Sequence, residues 1–252
     1  MPFTLKIASW NIAGGHTIRS NKQFDYDEQE NIEYFIGQLL ALDADVICLQ
    51  ESHWHPEKSL SYRIAAALDF PFVFETINSP SGIDPAFKES TAVLSKAPLE
   101  NTQEFCLPYP KFDLFLPDGS PAARWDKYLQ VCEIQGVRIG NIHTQPLGYF
   151  GYNYQVEAGV GYAKEIEILL TQQLKEPFIL VGDFNTQKAN RAFERWFQAN
   201  SLDDALPEQL PTRPNGNHID YILHTPAFIK HDSGIISTNT DHYLCWAEFT
   251  VI

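Results

Sequence analysis

Phe178-Ile179-Leu180-Val181-Gly182-Asp183-Phe184-Asn185 runs four apolar β-formers straight into a glycine, a carboxylate and an amide. A bounded apolar run this short reads as a strand covered on both faces. The point where its hydrogen-bond ladder stops is where open α/β sheets keep their chemistry. Asp183 and Asn185, two residues apart, point the same way if the backbone stays extended. Taken alone, Gly-Asp-x-Asn also reads as ordinary turn punctuation. Other segments of the chain decide between the two.

The same arrangement recurs on both sides of this stretch. Leu5 to Trp10 leads to Asn11, Val46 to Leu49 to Gln50 and Glu51, and Val137 to Ile142 to His143. Ile235-Ile236 leads through a polar stretch to Asp241-His242, and Ile219 to Leu223 carries Asp220 at its start. Polar strand ends are individually unremarkable, because they are exposed. Six of them in one chain, if they converge, bring together Asn, Glu and several Asp oxygens with two histidines. Such hard oxygen donors suit Mg²⁺ or Mn²⁺, whereas a zinc site favours several His or Cys.

The ordered set Ser9-Trp10-Asn11, Leu49-Gln50-Glu51, Ala92 to Lys96, Asn141-Ile142-His143, Gly182 to Asn185, Ile219-Asp220-Tyr221 and Thr240-Asp241-His242 resembles the endonuclease/exonuclease/phosphatase superfamily. The resemblance spans residues 9 to 242. It implies an α/β (α+β) fold, a four-layer α/β/β/α sandwich of two mixed β-sheets flanked by helices, with the active site at one rim. It also implies metal-dependent hydrolysis of phosphate esters. Carried onto matching positions, it makes Glu51 the leading metal ligand, helped by Asn11 and Asp241. Asp183 then deprotonates the attacking water and Asn185 holds that water or a phosphate oxygen. His242, backed by Asp220, donates to the phosphoryl oxygens, and His143 donates to the phosphate or assists the leaving group. Glu89, just before the strand Ala92 to Lys96, stands where deoxyribonuclease-like relatives place a partner for that histidine; a solvated strand-start residue is the other reading.

The chain also departs from the family pattern. Ala13 stands where abasic-site nucleases carry a second acidic ligand, which weakens that assignment and points to a single-metal site. Ser52-His53-Trp54-His55 replaces the usual Val followed by Arg or Lys after the glutamate. A phosphate-contacting cation is therefore missing or replaced by His53, and the histidines otherwise read as a surface cluster at a helix start. Arg19, Lys22, Arg124, Lys127 and Arg213 are candidate phosphate contacts without a spacing that promotes one. His16, His218, His224 and His231 carry no motif.

Length and composition agree with this picture. The chain has 252 residues, and motifs at both ends of it argue for one domain over residues 1–252. A hydrophobic content of 44% suffices for a sizeable core. A net charge of −14 disfavours tight nonspecific binding to nucleic acid, which depends on Lys and Arg displacing counterions. Nucleic acid thus stays a candidate partner beside lipid or small phosphate esters. No secretory leader or membrane-length apolar run is visible, so a cytoplasmic monomer without stable membrane insertion or a protein partner is expected. Cys48, Cys106, Cys132 and Cys245 are scattered, without metal or disulfide spacing, and read as reduced thiols.

Periodicity predicts helices over Glu28 to Leu42, Leu60 to Leu68, Gly159 to Leu174 and Arg191 to Ala199, with strands over Phe3 to Trp10 and Phe70 to Thr76. Cys106 to Pro121 and Pro207 to Pro214 read as surface loops. Gln145 to Tyr154, rich in Gly and aromatics, follows His143 directly and reads as a stacking wall for substrate or as a satellite of the core. The sequence therefore predicts a Mg²⁺- or Mn²⁺-dependent phosphodiesterase, nuclease-type first. A lipid or small-molecule phosphodiesterase is the alternative, and a family member reduced to binding a remote one.

Overall fold

In the computed structural model, which describes residues 2–20, 25–156 and 158–251, the apolar runs become strands that pair into two sheets. The strands are β1 (Phe3–Asn11), β2 (Val46–Trp54), β3 (Phe72–Pro80), β4 (Lys88–Ser95), β5 (Glu100–Cys106) and β6 (Tyr128–Ile134). They continue as β7 (Val137–His143), β8 (Phe178–Asp183), β9 (Asp203–Asp204), β10 (Asp220–His224), β11 (Phe228–Ile236) and β12 (Leu244–Val251). The helices are α1 (Ile32–Leu42), α2 (Leu60–Ala67), α3 (Ala158–Gln173), α4 (Ala189–Ala192) and α5 (Glu194–Ala199). One sheet has the order β11-β12-β1-β2-β4-β3 and the other β5-β6-β7-β8-β10-β9.

Alternation along the strands produces the layers. Leu5 and Ile7 of β1 and Val46 and Cys48 of β2 meet Ile139, Ile179 and Val181 between the sheets. Ala8, Trp10, Ile47 and Leu49 face the other way, onto Phe35 and Leu39 of α1 and Ile64 of α2. On the far side Phe178 and Leu180 pack on Ile166, Leu170 and Trp196 from α3 and α5, with the Phe178 and Trp196 rings stacked at 5.7 Å. The result is the expected α/β/β/α sandwich, and each large apolar side chain buried there contributes about 1.5–3 kcal/mol. Between the sheets lies a polar link as well. Asn141 Nδ2 of β7 donates to Leu49 O (3.2 Å), Ala92 O (3.2 Å) and Gln130 Oε1 (2.9 Å), while Gln50 Nε2 donates to Asn141 Oδ1 (2.8 Å).

Strand direction sets the site. β1 runs parallel to β2 and β7 parallel to β8, so all four end at one rim. β4, β6, β10 and β12 are antiparallel to neighbours in that group and start there. Gly182 makes the closest part of this geometry attainable. Its φ is +141°, and a Cβ there would lie 1.9 Å from Ile142 O, so only glycine lets β8 approach β7 just before Asp183.

Several element boundaries differ from expectation. α1 begins at Ile32 rather than Glu28, because the Asn31 side chain accepts from Tyr34 N and caps it there. The helix expected over Arg191 to Ala199 divides into α4 and α5 at Phe193. β3 starts at Phe72 and runs on to Pro80. β2 does not stop at Leu49 but continues to Trp54 across a register shift between Leu49 and Ser52, which makes Ser52 to Trp54 strand and not a helix start. Among the described residues no helix is long and apolar enough to cross a membrane.

Candidate active site

The bulge in β2 aims the first functional group. Gln50 and Glu51 lose their partners in β4 there, and Glu51 adopts φ 50°, a conformation costly for a residue with a Cβ. The half-buried Glu51 carboxylate thereby reaches the rim, where Asn11 Nδ2 donates to it at 3.0 Å and His143 Nε2 lies 3.5 Å away. Burial, then the neighbouring charges of Glu89 and Asp241, raise its pKa against the opposing pull of His143 and Lys127.

Asp183 is the centre of the group. Its Oδ1 accepts the Asn185 backbone N–H (2.8 Å), and its Oδ2 accepts from Asn11 Nδ2 (3.1 Å). That same Oδ2 is 3.7 Å from His143 Nε2 and 3.6 Å from His242 Nε2. Asn185 has φ 50°, so the period-two argument fails locally: the chain turns after Asp183, and Asn185 Nδ2 donates to Thr144 O at 3.0 Å. The two residues stay adjacent through this turn instead of through a shared strand face.

Each histidine has a carboxylate behind it. His242 Nδ1 lies 3.0 Å from both oxygens of Asp220, which sits opposite Asp183 in the ladder. Burial works to depress the His242 pKa, but Asp220 and Asp183 outweigh it and raise it to about 9. Trp10 Nε1 (2.9 Å) and the hydroxyls of Thr238 and Thr240 all donate to the His242 carbonyl and fix the turn. His143 Nδ1 lies 3.2 Å from Glu89 Oε1, and His143 is in register with Asp183.

Lys127 completes this second pair. Its Nζ donates to Glu89 Oε1 at 2.5 Å and lies 3.3 Å from His143 Nδ1, with only 4% of the side chain exposed. Burial would raise the Glu89 pKa, yet the Lys127 ammonium and His143 hold it well below the usual carboxylate range.

The expected metal ligands are placed unequally. Asn11 stands in the cluster as a donor: its Oδ1 accepts the Ala13 N–H (3.2 Å) while its amide nitrogen clamps Glu51 and Asp183. Asp241 Oδ2 accepts from Tyr26 OH (2.8 Å) and Arg213 Nη2 (3.3 Å), whereas its Oδ1 is buried without a partner. Ligand atoms of Glu51, His143 and Asp183 lie within 4.8 Å of one another, as do those of Asp183, Asp220 and His242. Clustered carboxylates, the raised Glu51 and the orphaned Asp241 oxygen fit a divalent cation held by oxygen donors.

His53 is not a charged phosphate contact. It stacks on Phe87 at 4.9 Å, bonds Ser81 Oγ at 2.7 Å and is 3% exposed; burial, then His16, lowers its pKa to about 4. Among the other cations considered, Arg19 pairs with Asp25, Arg124 with Asp126 and Arg213 with Asp241, while Lys22 lies outside the described residues. His218 pairs with Asp204 at 3.3 Å, away from the Asp183 group. Tyr26 is a site member that the sequence did not single out, and Lys127, expected among the candidate phosphate contacts, is instead paired with Glu89. Lys127 precedes a strand whose pairing alone puts it at this rim. Glu51, Glu89, Lys127, Asp183, Asp241 and His242 line a cleft of about 1410 Å³.

The sequence profile of the endonuclease/exonuclease/phosphatase family matches residues 8–242. The structure is similar to an endonuclease/exonuclease/phosphatase from Beutenbergia cavernae DSM 12333, with a TM-score of 0.75 and 16% identity over 98% of this chain and 72% of that one. It is similar to an AP endonuclease from Archaeoglobus fulgidus, with a TM-score of 0.62 and 16% identity over 97% and 99% of the two chains. A mannosyl-6-phosphatase from Bacteroides thetaiotaomicron VPI-5482 gives a TM-score of 0.64 and 15% identity over 97% and 99%. Identities this low speak to fold. Comparison with curated proteins gives no match.

Proposed function

The chain belongs to the endonuclease/exonuclease/phosphatase family, and from that membership we propose that it hydrolyses phosphodiester bonds with Mg²⁺ or Mn²⁺, as a nuclease-type phosphodiesterase. One observation carries the reading: two imidazoles, each backed by a carboxylate, approach the same oxygen of Asp183. Hydrolysis of a diester needs a base for water and donors for the phosphoryl and leaving oxygens, and this group supplies all three within hydrogen-bonding reach of one substrate.

Glu51 and Asp241 would hold the ion, with His143 and Asp183 beside it. When bound, the cation neutralises phosphoryl charge that otherwise repels the nucleophile. Asp183 Oδ2, its partner oxygen already tied to Asn185 N–H, accepts the proton of the attacking water. His242, kept protonated near neutral pH by Asp220 and Asp183, donates from Nε2 to a phosphoryl oxygen. His143, oriented through Nδ1 by Glu89, donates from Nε2 to the departing oxygen.

A second reading, a lipid or small-molecule phosphodiesterase, draws support from charge. The protein carries −14, and two of the three Lys and Arg side chains lining the cleft, Lys127 and Arg213, are paired with carboxylates. A panel of single-stranded DNA, duplex DNA, RNA, sphingomyelin and bis-p-nitrophenyl phosphate, assayed with Mg²⁺ and Mn²⁺, separates the two. Cleavage of nucleic acid and of the synthetic diester is expected. Lipid cleavage without nucleic-acid cleavage transfers the assignment to the second reading, and hydrolysis of none of them overturns both.

A further inference from the structure

The segment after His143 divides its aromatic side chains into two groups. Phe150 and Tyr154 are buried and belong to the core. Tyr149 and Tyr152 are half-buried and line the cleft, as does Trp125, which arrives from the separate loop between β5 and β6. The Trp125 and Tyr149 ring planes lie within 18° of parallel at 6.3 Å, and Phe150 backs both at 5.6 and 5.1 Å. Trp125, Tyr149 and Tyr152 pack against that core as well, yet all three stay half-buried at the cleft wall.

The shelf is braced from three sides. Gln145 Nε2 donates to the Trp125 carbonyl, and Tyr154 OH donates to Gln145 O at 2.6 Å. Asp126 N donates to Ser79 Oγ at 2.7 Å, which anchors the next residue to the end of β3. A flat group landing here therefore meets aromatic faces already ordered, which lowers the entropy cost of binding. Arg124, next to Trp125 in the chain, is drawn to Asp126 at 2.6 Å and to the Tyr109 ring, so it does not present a free positive charge to the wall. Trp125 is also two residues from Lys127, so their Cα atoms are at most about 7 Å apart. The shelf thus begins beside the Lys127–Glu89–His143 group.

We propose that Trp125 and Tyr149 form a stacking subsite for the nucleobase of a nucleotide whose phosphate occupies the Asp183 site. This rests on the nuclease-type reading and deepens it. Base stacking on an aromatic side chain is indifferent to base identity, so the subsite favours single-stranded substrates whose bases are free to turn out, with little sequence preference. It also supplies binding that an acidic protein cannot draw from a basic groove.

The test compares a thymidylate hexamer with a hexamer of tetrahydrofuran spacers, which keeps the phosphodiesters and removes the bases. The ratio of kcat/KM values, base-bearing over base-free, is expected at about 5- to 150-fold in the unmodified protein. It should fall several-fold in Trp125→Ala and in Tyr149→Ala. Because both substrates meet the same molecules, partial misfolding of a variant leaves the ratio intact. Equal rates in the unmodified protein overturn the subsite while leaving phosphodiester hydrolysis standing. If neither hexamer is cleaved, the nuclease-type reading falls. Calorimetric titration with Mg²⁺ present then decides the subsite: tighter binding of thymidine 5′-phosphate than of 2-deoxyribose 5-phosphate by a similar factor supports it, and equal binding overturns it.

Discussion

Asp183 and His242 carry the sharpest expectations for single residues. Asp183→Asn removes the proposed base without changing shape, and kcat should drop at least about 10²–10³-fold. Asp220 and Asp183 raise the His242 pKa to about 9, so the imidazole gives up its proton as the pH passes through that value. The donor is therefore present below that value, and kcat should hold on the alkaline side up to about pH 9 and decline beyond it. His242→Asn should show both a reduced kcat and no such alkaline limb; a limb that persists in the variant would assign the decline to another group. Lys127 makes a different prediction. Lys127→Met leaves the Glu89 carboxylate in a buried site without its ammonium, which costs about 3–5 kcal/mol of stability. Adding Glu89→Gln should recover part of that loss in denaturant titrations, since no unpaired charge then remains. Asp183, Asp220 and His242 were legible in the sequence because each sits beside an apolar run that announces a strand. Lys127 stood there only as one of five candidate phosphate contacts, since Trp125-Asp126-Lys127 has no local pattern and gains its place beside Glu89 only from the pairing of β6 with β7.

At the level of elements, the strands and their shared rim followed from hydrophobic runs, whereas the bulge in β2 did not. Gln50 to Trp54 reads as polar punctuation after Leu49, and only the paired β4 shows that the strand resumes at Ser52. That hidden continuation buries His53 and turns a predicted surface cluster into a neutral ring stacked on Phe87. The junction of β7 and β8 is equally demanding. Gly182→Ala places a methyl group against Ile142 O at a φ that alanine rarely adopts. A loss of about 3 kcal/mol or more is expected, lowering the melting temperature by about 6–12 °C. The same substitution should depress kcat as well, because His143 and Asp183 cap the two strands that would be forced apart.

For the whole molecule, the four layers were expected from the family resemblance of the ordered motifs, while the amide link joining the sheets was not. Asn141, Gln50 and Gln130 sit in runs that look simply apolar with polar interruptions, and their meeting depends on how the sheets face each other. The net charge of −14 has a measurable consequence. A polyanionic substrate approaches an acidic protein against repulsion, so added salt should help. Raising KCl from about 10 to 150 mM shortens the screening length from roughly 30 to 8 Å. At saturating Mg²⁺, kcat/KM for an oligonucleotide should increase several-fold while that for bis-p-nitrophenyl phosphate stays nearly constant. A steep fall for the oligonucleotide would instead reveal a basic track that the fold does not display.

β1, which bears Asn11, lies between β2 and β12, and the turn holding His242 immediately precedes β12. A ribosome thus delivers one flank of this strand early and the other only after every strand of the second sheet has been made. Until then β1 keeps a bare edge and Asp220 lacks its imidazole. The proposed hydrolysis accordingly waits on the His242 turn and β12, and a protease nick just ahead of them would abolish it and leave a sticky, aggregation-prone remnant in one stroke.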